Sequence, residues 1–213
     1  MFNTLKSVVA AATLSLMFTA ASFADGPGSG NGNGNGNNDD GVTFNMVVSG
    51  GAKSCTPNAT AKVKITTVGS VDIMEVSVQG LPPKTEFDFF VLQVPKAPFG
   101  VSWYQGDIET DKNGRGFGRF IGRFSIETFA VAPGSAPAPA VFSGAFPDAT
   151  LNPGFNSIQM YHLGLWFNSP DDAKAAGCAA TITPFNGEHN AGIQVLNTSN
   201  FPDDHGPLRN VHP

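Results

Sequence analysis

The chain has 213 residues, with 12 Lys and Arg side chains against 17 Asp and Glu side chains and a formal net charge of −5. Charged residues make up only 14% of the sequence and form no basic cluster, which argues against a nucleic acid or an anionic membrane surface as a partner. Phe is abundant, at 18 residues, whereas Tyr and Trp contribute 2 each, so most aromatic rings are expected inside a folded domain.

The first residues have the pattern of a secretory signal peptide. Lys6 precedes an apolar run of about 14 residues, and Ser22-Phe23-Ala24 places small residues at the two positions that a signal peptidase reads. The run is shorter than the roughly 20 residues that a membrane-spanning helix needs. We therefore predict that residues 1–24 are a signal peptide, that the protein is secreted to the periplasm or the extracellular space, and that the mature chain has no transmembrane segment.

The next segment, residues 25–41, consists almost entirely of Gly, Asn and Asp and has no apolar side chain beyond Pro27. Such a tract cannot bury enough surface to offset the entropy of ordering, so it predicts a flexible linker. A single domain is expected over residues 42–200, followed by a loosely ordered tail over residues 201–213.

The two cysteines, Cys55 and Cys178, lie near opposite ends of the predicted domain. An exported chain with two cysteines usually pairs them in an oxidising compartment. Neither the spacing of a redox motif nor that of a zinc site is present. The sequence therefore predicts one disulfide bond.

From Val42 onward, apolar and polar residues alternate with the period of two that is typical of β-strands. In residues 61–65, for example, apolar side chains take the odd positions and lysines the even ones. Gly69-Ser70 and Asn113-Gly114 separate such runs and fit hairpin turns. The pattern predicts strands over residues 61–68, 71–79, 86–94, 103–110, 117–131, 157–167 and 192–197.

One short helix is predicted near residues 170–176. Ser169 can cap it, Pro170 suits its first position, and Gly177 ends it. About eight strands and one helix predict an all-β protein built as an antiparallel β-sandwich, with a β-barrel as the alternative.

Residues 78–91 resemble the strand–corner–strand segment of fibronectin type III and related immunoglobulin-like domains. In that family Gly-Leu-x-Pro-x-Thr-x-Tyr precedes a central strand, and this chain has Gly80-Leu-Pro-Pro-Lys-Thr-Glu-Phe87. Phe87 replaces the family's Tyr, and the spacing of the family's core Trp is not reproduced. The resemblance implies an immunoglobulin-like sandwich that serves adhesion or spacing, and hence binding rather than catalysis.

Catalytic motifs are scarce in the sequence, which has neither a Gly-x-Ser-x-Gly elbow nor a phosphate-binding loop. Asp107 and Glu109 share one face of a predicted strand, about 6–7 Å apart. This distance falls between the carboxylate separations of retaining and of inverting glycoside hydrolases, so the two residues are candidates for a secreted carbohydrate-active hydrolase but select neither mechanism. Two solvated acids on an edge strand are the other interpretation.

Metal binding has weak support in the sequence. Asp111-x-Asn113-Gly114 resembles the start of a calcium loop but lacks the later Glu. No chelating spacing is found among the four histidines, His162, His189, His205 and His212. We assign no metal ligand and no cofactor, and keep an exported metal-binding protein as an alternative function.

The segment most suggestive of ligand binding gathers one of the two Trp and one of the two Tyr residues beside polar side chains. Aromatic planes next to amide and carboxylate groups hold sugar rings or peptides in β-sandwich modules. The candidate ligand-binding residues are Phe99, Trp103, Tyr104, Gln105 and Asp107. In the other interpretation, Trp103 and Tyr104 cover the open end of the sandwich.

These patterns favour a secreted, non-enzymatic β-sandwich protein that acts as a surface, matrix or ligand-binding module. The expected partner is a glycan or a surface protein. The alternatives are the secreted hydrolase that uses Asp107 and Glu109, and the exported metal-binding protein.

Overall fold

The computed structural model describes residues 41–126, 130–131, 157–184 and 189–212, all within the unit formed by residues 38–213. The strands in these ranges are β1 (Val42–Val48), β2 (Thr60–Val68), β3 (Val71–Gln79), β4 (Glu86–Leu92), β5 (Ser102–Glu109), β6 (Gly116–Gly122), β7 (Ala130–Val131), β8 (Ser157–Ile158), β9 (His162–Phe167), β10 (Thr183–Pro184), β11 (Asn190–Ala191) and β12 (Gln194–Asn197). The helical elements are α1 (Pro170–Ala175) and the two 3₁₀ turns Gly50–Ala52 and Pro207–Asn210.

Eight of these strands form one antiparallel sheet in the order β5-β4-β9-β12-β1-β2-β3-β6. The outermost strands, β5 and β6, are joined by a hairpin and meet at a bridge between Thr110 and Gly116, so the sheet is nearly barrel-shaped. The predicted all-β class is confirmed. The predicted sandwich, and with it the immunoglobulin-like resemblance, gains no support, because hydrogen bonds link the eight strands in a single order.

The core lies on the inner face of this sheet. Alternate residues of β2 and β3 point inward, so Val63, Ile65, Met74 and Val76 are buried, whereas the lysines between the β2 residues are exposed. The same alternation in β4 buries Phe87 and Phe89 in that core. The period of two thus places one apolar face inside the sheet, as expected for half-buried strands.

The two predicted hairpins are present. β2 and β3 pair over their full lengths around Gly69-Ser70. In the turn between β5 and β6, the Asp111 carboxylate accepts the backbone N–H groups of Asn113 (2.7 Å) and Arg115 (3.0 Å). These bonds fix the turn that brings the two outermost strands together.

The predicted strand over residues 117–131 is found as β6 up to Gly122 and as β7 at Ala130–Val131, and it is interrupted at residues 123–126, while residues 127–129 lie outside the described ranges. The buried carboxylate of Asp72 accepts the backbone N–H of Phe124 at 2.6 Å, so the chain leaves the ladder there. Further along, the N–H of Ile126 donates to the carbonyl of Val211. The predicted strand 157–167 is likewise divided into β8 and β9.

The predicted helix and disulfide are confirmed. The Ser169 hydroxyl caps α1 by accepting the N–H of Asp172 at 3.1 Å, and Pro170 occupies the first position. Cys55 and Cys178 are bonded, with their Cα atoms 5.2 Å apart. Within the described ranges, no helix is long and apolar enough to span a membrane.

The C-terminal segment packs on the sheet. Leu208 and Val211 belong to the core and are almost fully buried. The N–H of Leu208 donates to the carbonyl of Tyr161 just before β9. The fold thus includes part of the segment for which a loose tail is predicted.

Candidate functional site

The outer face of β4 is unusual because it is buried as well as the inner face. The core residues Phe87, Phe89 and Val91 alternate with outward positions that include Asp88 and Leu92, and both of these are 0% exposed. An outward position at this point of the sheet can be buried only if another part of the chain covers it. The cover is formed by the loop at 95–100 and by β11.

A second apolar cluster lies under this cover. It consists of Leu92, Trp166 and Ala191, with Phe90 and Phe99 packed against them. Ala191 comes from β11 and Phe99 from the loop at 95–100, so both covering segments contribute a side chain. This outer cluster is separate from the main core, which lies on the other face of the same strands.

Four aromatic rings form a continuous row along the outer face. The ring of Phe99 packs edge-on against Trp166 at 5.0 Å, Trp166 packs edge-on against Phe90 at 5.3 Å, and Phe90 contacts Tyr104 at 5.6 Å. At the end of the row, the Tyr104 hydroxyl donates a hydrogen bond to Asp107 at 2.5 Å. We call these four rings the aromatic row.

The loop at 95–100 is held firmly enough to position Phe99. The N–H of Gln93 donates to the carbonyl of Val101 at 2.9 Å, and the N–H of Val101 donates to the Gln93 side chain at 3.2 Å. The N–H of Val94 donates to the carbonyl of Phe99 itself at 3.1 Å. The buried side chain of Gln194 also donates to a carbonyl of this loop.

A cavity and a groove adjoin the aromatic row. The cavity, about 130 Å³, is lined by Phe90, Leu92, Phe99, Ser102, Trp166, Thr183, Pro184 and Ala191. The groove, about 1090 Å³, shares Phe99, Trp166 and Ser102 with the cavity. We call the two spaces the aromatic cavity and the groove.

The groove also has a fixed polar part. The Asn197 side chain donates to Gln194 at 2.8 Å and accepts the N–H of Ser199 at 3.0 Å. All three residues line the groove, and the two amides are buried. The groove therefore offers polar groups in set positions as well as apolar walls.

Four carboxylates lie beyond the aromatic row, on paired positions of β4 and β5. Glu86 lies opposite Glu109, and Asp88 lies opposite Asp107. Burial and then the nearby Asp107 raise the pKa of Asp88 to about 7, and the same two causes raise the pKa of Glu86. His189 is near Asp88, with its Nε2 atom 4.0 Å from the carboxylate.

Asp88 is the most constrained of these acids. Neither of its carboxylate oxygens has a hydrogen-bond partner among the described residues. The indole Nε1 of Trp166, which pairs with Asp88 across β4 and β9, is also buried without such a partner. Buried polar groups in native proteins are usually satisfied by protein or by water, so these two groups mark a polar region within the apolar outer face.

The structure brings together three of the five predicted ligand-binding residues. Phe99 lines the aromatic cavity, and Tyr104 and Asp107 extend the row from it. Trp103 is 66% exposed and lines neither the cavity nor the groove. Gln105 is half-exposed, and its side chain donates to the carbonyl of Trp103.

Sequence reasoning missed the residues that hold this site together, above all Phe90, Trp166 and Asp88. A signal for Phe90 is present in the sequence. After Asp88, both faces of β4 are apolar, which indicates that something must cover the outer face. The part of the cover that β11 supplies comes from about 100 positions later and leaves no local signal.

Metal binding gains no support from the described residues, where no three His, Cys, Asp or Glu side chains are grouped to hold an ion. The Asp111 carboxylate is occupied by the N–H groups of its own turn. His162 is buried between Thr198, whose hydroxyl is 2.9 Å from Nδ1, and the carbonyl of Asp203, 3.1 Å from Nε2. Burial lowers the pKa of His162, so it is a neutral core histidine.

Comparison of the sequence with protein-family models and with curated proteins finds no match to either. The chemistry of the site follows from its own residues. The aromatic cavity can accept an apolar group, the amides of the groove can orient a ligand by hydrogen bonds, and the groove carries two lysines.

Proposed function

We propose that this protein is an exported, non-enzymatic binding module whose ligand lies in the groove and inserts an apolar group into the aromatic cavity. The observation that carries the proposal is a cavity of about 130 Å³, walled by Phe90, Phe99 and Trp166, beside a groove of about 1090 Å³. Pockets for small ligands are concave, mostly apolar and provided with a few fixed polar groups.

The size of the aromatic cavity sets the size of the inserted group. An engineered apolar cavity of roughly 150 Å³ binds benzene in another protein. The cavity here is of similar volume, so it suits a single ring or a short branched alkyl group. The rest of the ligand would lie in the groove against Gln194 and Asn197.

Export is supported by two independent features. The Cys55–Cys178 bond is typical of proteins that fold in an oxidising compartment. The first 24 residues have the charge, apolar run and small-residue exit of a signal peptide. We propose that the mature domain works in the periplasm or outside the cell.

The test uses the neutral fluorescent probe N-phenyl-1-naphthylamine and the mature chain. Ser102 is exposed and lines both spaces, so Ser102→Phe should obstruct the mouth of the aromatic cavity without disturbing the core. We expect saturable binding to the wild type and at least about tenfold weaker binding to Ser102→Phe. Trp103→Ala is the matched control and should bind as the wild type does. Absence of saturable binding to the wild type, or equal binding by Ser102→Phe, would refute the proposal.

A second candidate function is glycoside hydrolysis, and one specific observation favours it. Asp88, with its pKa raised to about 7, lies opposite the exposed Asp107. A buried carboxyl group whose pKa is raised towards neutrality, next to a second carboxylate, is typical of a general acid. Because Asp88 is fully buried, this function would require the cover to open.

An assay on a panel of polysaccharides tests this candidate. Activity of the wild type that is lost in both Asp88→Asn and Asp107→Asn would support hydrolysis by this pair of carboxyl groups. Activity that survives both substitutions, or no activity on any substrate of the panel, would remove the candidate.

A further inference from the structure

We infer that the ligand of the groove is an anionic amphiphile, with its apolar group in the aromatic cavity and its carboxylate or sulfonate facing Lys53 and Lys96. This inference rests on the proposed binding function and names the chemical class of the ligand.

The charge of the groove carries the inference. Among the described residues that line it, Lys53 and Lys96 are the charged ones, and no acidic side chain accompanies them. The chain as a whole has a net charge of −5. The groove is therefore a local positive site on an acidic protein, and a negatively charged ligand is its electrostatic complement.

The two lysines are available for a ligand. Both are exposed, and neither forms an ion pair with an acidic side chain in the described part of the chain. Lys62 and Lys64 project from β2 and line neither space.

Each lysine sits on an anchored segment. Lys53 directly follows the 3₁₀ turn Gly50–Ala52 and lies two residues before Cys55, which is tied to Cys178. Lys96 lies in the loop at 95–100, three residues before Phe99. The positive charges are thus held near the aromatic cavity by a disulfide on one side and by the hydrogen bonds of Gln93 on the other.

The test compares an anionic probe with a neutral one. 8-Anilinonaphthalene-1-sulfonate carries a sulfonate, whereas N-phenyl-1-naphthylamine has similar rings and no charge. In the Lys53→Gln/Lys96→Gln variant we expect the Kd of the anionic probe to rise about tenfold and that of the neutral probe to change less than about twofold. The control variant, Lys62→Gln/Lys64→Gln, should leave both values unchanged.

Equal binding of the anionic probe by the two double variants would overturn the inference. If the neutral probe binds the wild type while the lysines have no effect, the binding function stands and only the ligand class fails. If neither probe binds the wild type saturably, the binding function itself fails. Cooperative urea unfolding of every variant shows that a probe reports on the folded site.

Two further measurements sharpen the result. Raising the ionic strength from about 20 mM to about 500 mM should weaken anionic-probe binding to the wild type and leave the lysine variant nearly unchanged. Decanoate and 1-naphthoate then distinguish alkyl from aryl acids by displacing the anionic probe. Displacement by at least one of them supports the inference, and displacement by neither at millimolar concentration contradicts it.

Discussion

Asp88 and Asp107 lie directly opposite each other on β4 and β5, with one carboxylate fully buried and the other exposed. Asp107 accepts the hydroxyl of Tyr104, whereas Asp88 has no hydrogen-bond partner among the described residues. Ionising both members of such a pair is unfavourable, and burial penalises the charge on Asp88 still further. These two causes, burial first, raise the pKa of Asp88 to about 7.

The first prediction is that this carboxyl group makes the protein less stable as the pH rises. The pKa of Asp88 is about 7 in the folded state and 3.8 as its ordinary value, so the folded state holds the proton more tightly. The stabilisation is fully present below about pH 4 and is lost as the pH rises through about 7. It amounts to a few kcal/mol at most, because each tenfold difference in proton affinity between the two states is worth roughly 1.4 kcal/mol. Asp88→Asn, which cannot ionise, should remove this decline when urea unfolding is measured across the range.

Asp111→Asn serves as the control for this prediction. Backbone N–H groups of Arg115 and Asn113 lower the pKa of Asp111, so its stabilisation is present above 3.8 and is lost as the pH falls. The difference in the free energy of unfolding between Asp111→Asn and the wild type should therefore stay constant between about pH 5 and pH 8. The lowered pKa of His162 opposes the effect of Asp88, but it is common to all variants and cancels in the difference. If the free energy of unfolding of Asp88→Asn fell with rising pH as steeply as that of the wild type, the prediction would be contradicted.

The second prediction compares how much each of the two tryptophans contributes to the free energy of unfolding. Trp166 is 3% exposed and contacts Phe90 and Phe99, whereas Trp103 is 66% exposed. Trp166→Ala should lower the free energy of unfolding by about 3–5 kcal/mol because it empties the outer cluster. Trp103→Ala should change it by less than about 0.5 kcal/mol. Urea unfolding followed by circular dichroism measures both values, and similar losses in the two variants would refute the assignment of Trp166 to a packed cluster.

The local elements of the fold could be read from the sequence because each depends on neighbouring residues. The alternation at 61–68 and 71–79 and the Gly69-Ser70 turn between them predict one hairpin, and that hairpin is present. The single sheet could not be predicted in the same way. It depends on distant pairings, such as β1 between β12 and β2, and on the Thr110–Gly116 bridge that brings the outermost strands together.

The candidate site was partly predictable, and a β-bulge explains the part that was not. Tyr104 pairs with Phe90 and Gly106 pairs with Phe89, so Gln105 is an extra residue in β5. On a regular strand, Tyr104 and Asp107 would point to opposite faces, because they are three positions apart. The extra residue brings both to the outer face and leaves Trp103 on the other side, paired with Val91.

The third prediction concerns the disulfide between Cys55 and Cys178. It closes a loop with a sequence separation of 123 residues. In the chain-entropy model, such a loop stabilises the folded state by about 4–5 kcal/mol. The Cys55→Ala/Cys178→Ala variant should lose about this much in urea unfolding, and the reduced wild type should behave like the variant. A loss below about 1 kcal/mol would show that the bond constrains the unfolded chain much less than the model predicts.

The fourth prediction compares two glycines with positive φ. Gly69 has a φ of 60° and open space where a Cβ atom would lie, whereas Gly114 has a φ of 70° and a Cβ there would be 2.0 Å from the carbonyl oxygen of Leu81. Gly69→Ala should therefore cost only the backbone strain, about 1–2 kcal/mol. Gly114→Ala should cost more, because the turn between β5 and β6 must move away from Leu81.

Because of the position of Gly114, this comparison tests whether the β5–β6 turn holds the two outermost strands together. The carbonyl of Gly114 accepts the N–H of Leu81 at 3.3 Å, which ties the β5–β6 turn to the segment before β4. Hydrogen exchange should thus show lost protection at the Thr110–Gly116 bridge in Gly114→Ala, and unchanged protection there in Gly69→Ala. Equal destabilisation by the two substitutions would mean that the contact with Leu81 does not hold the turn in place.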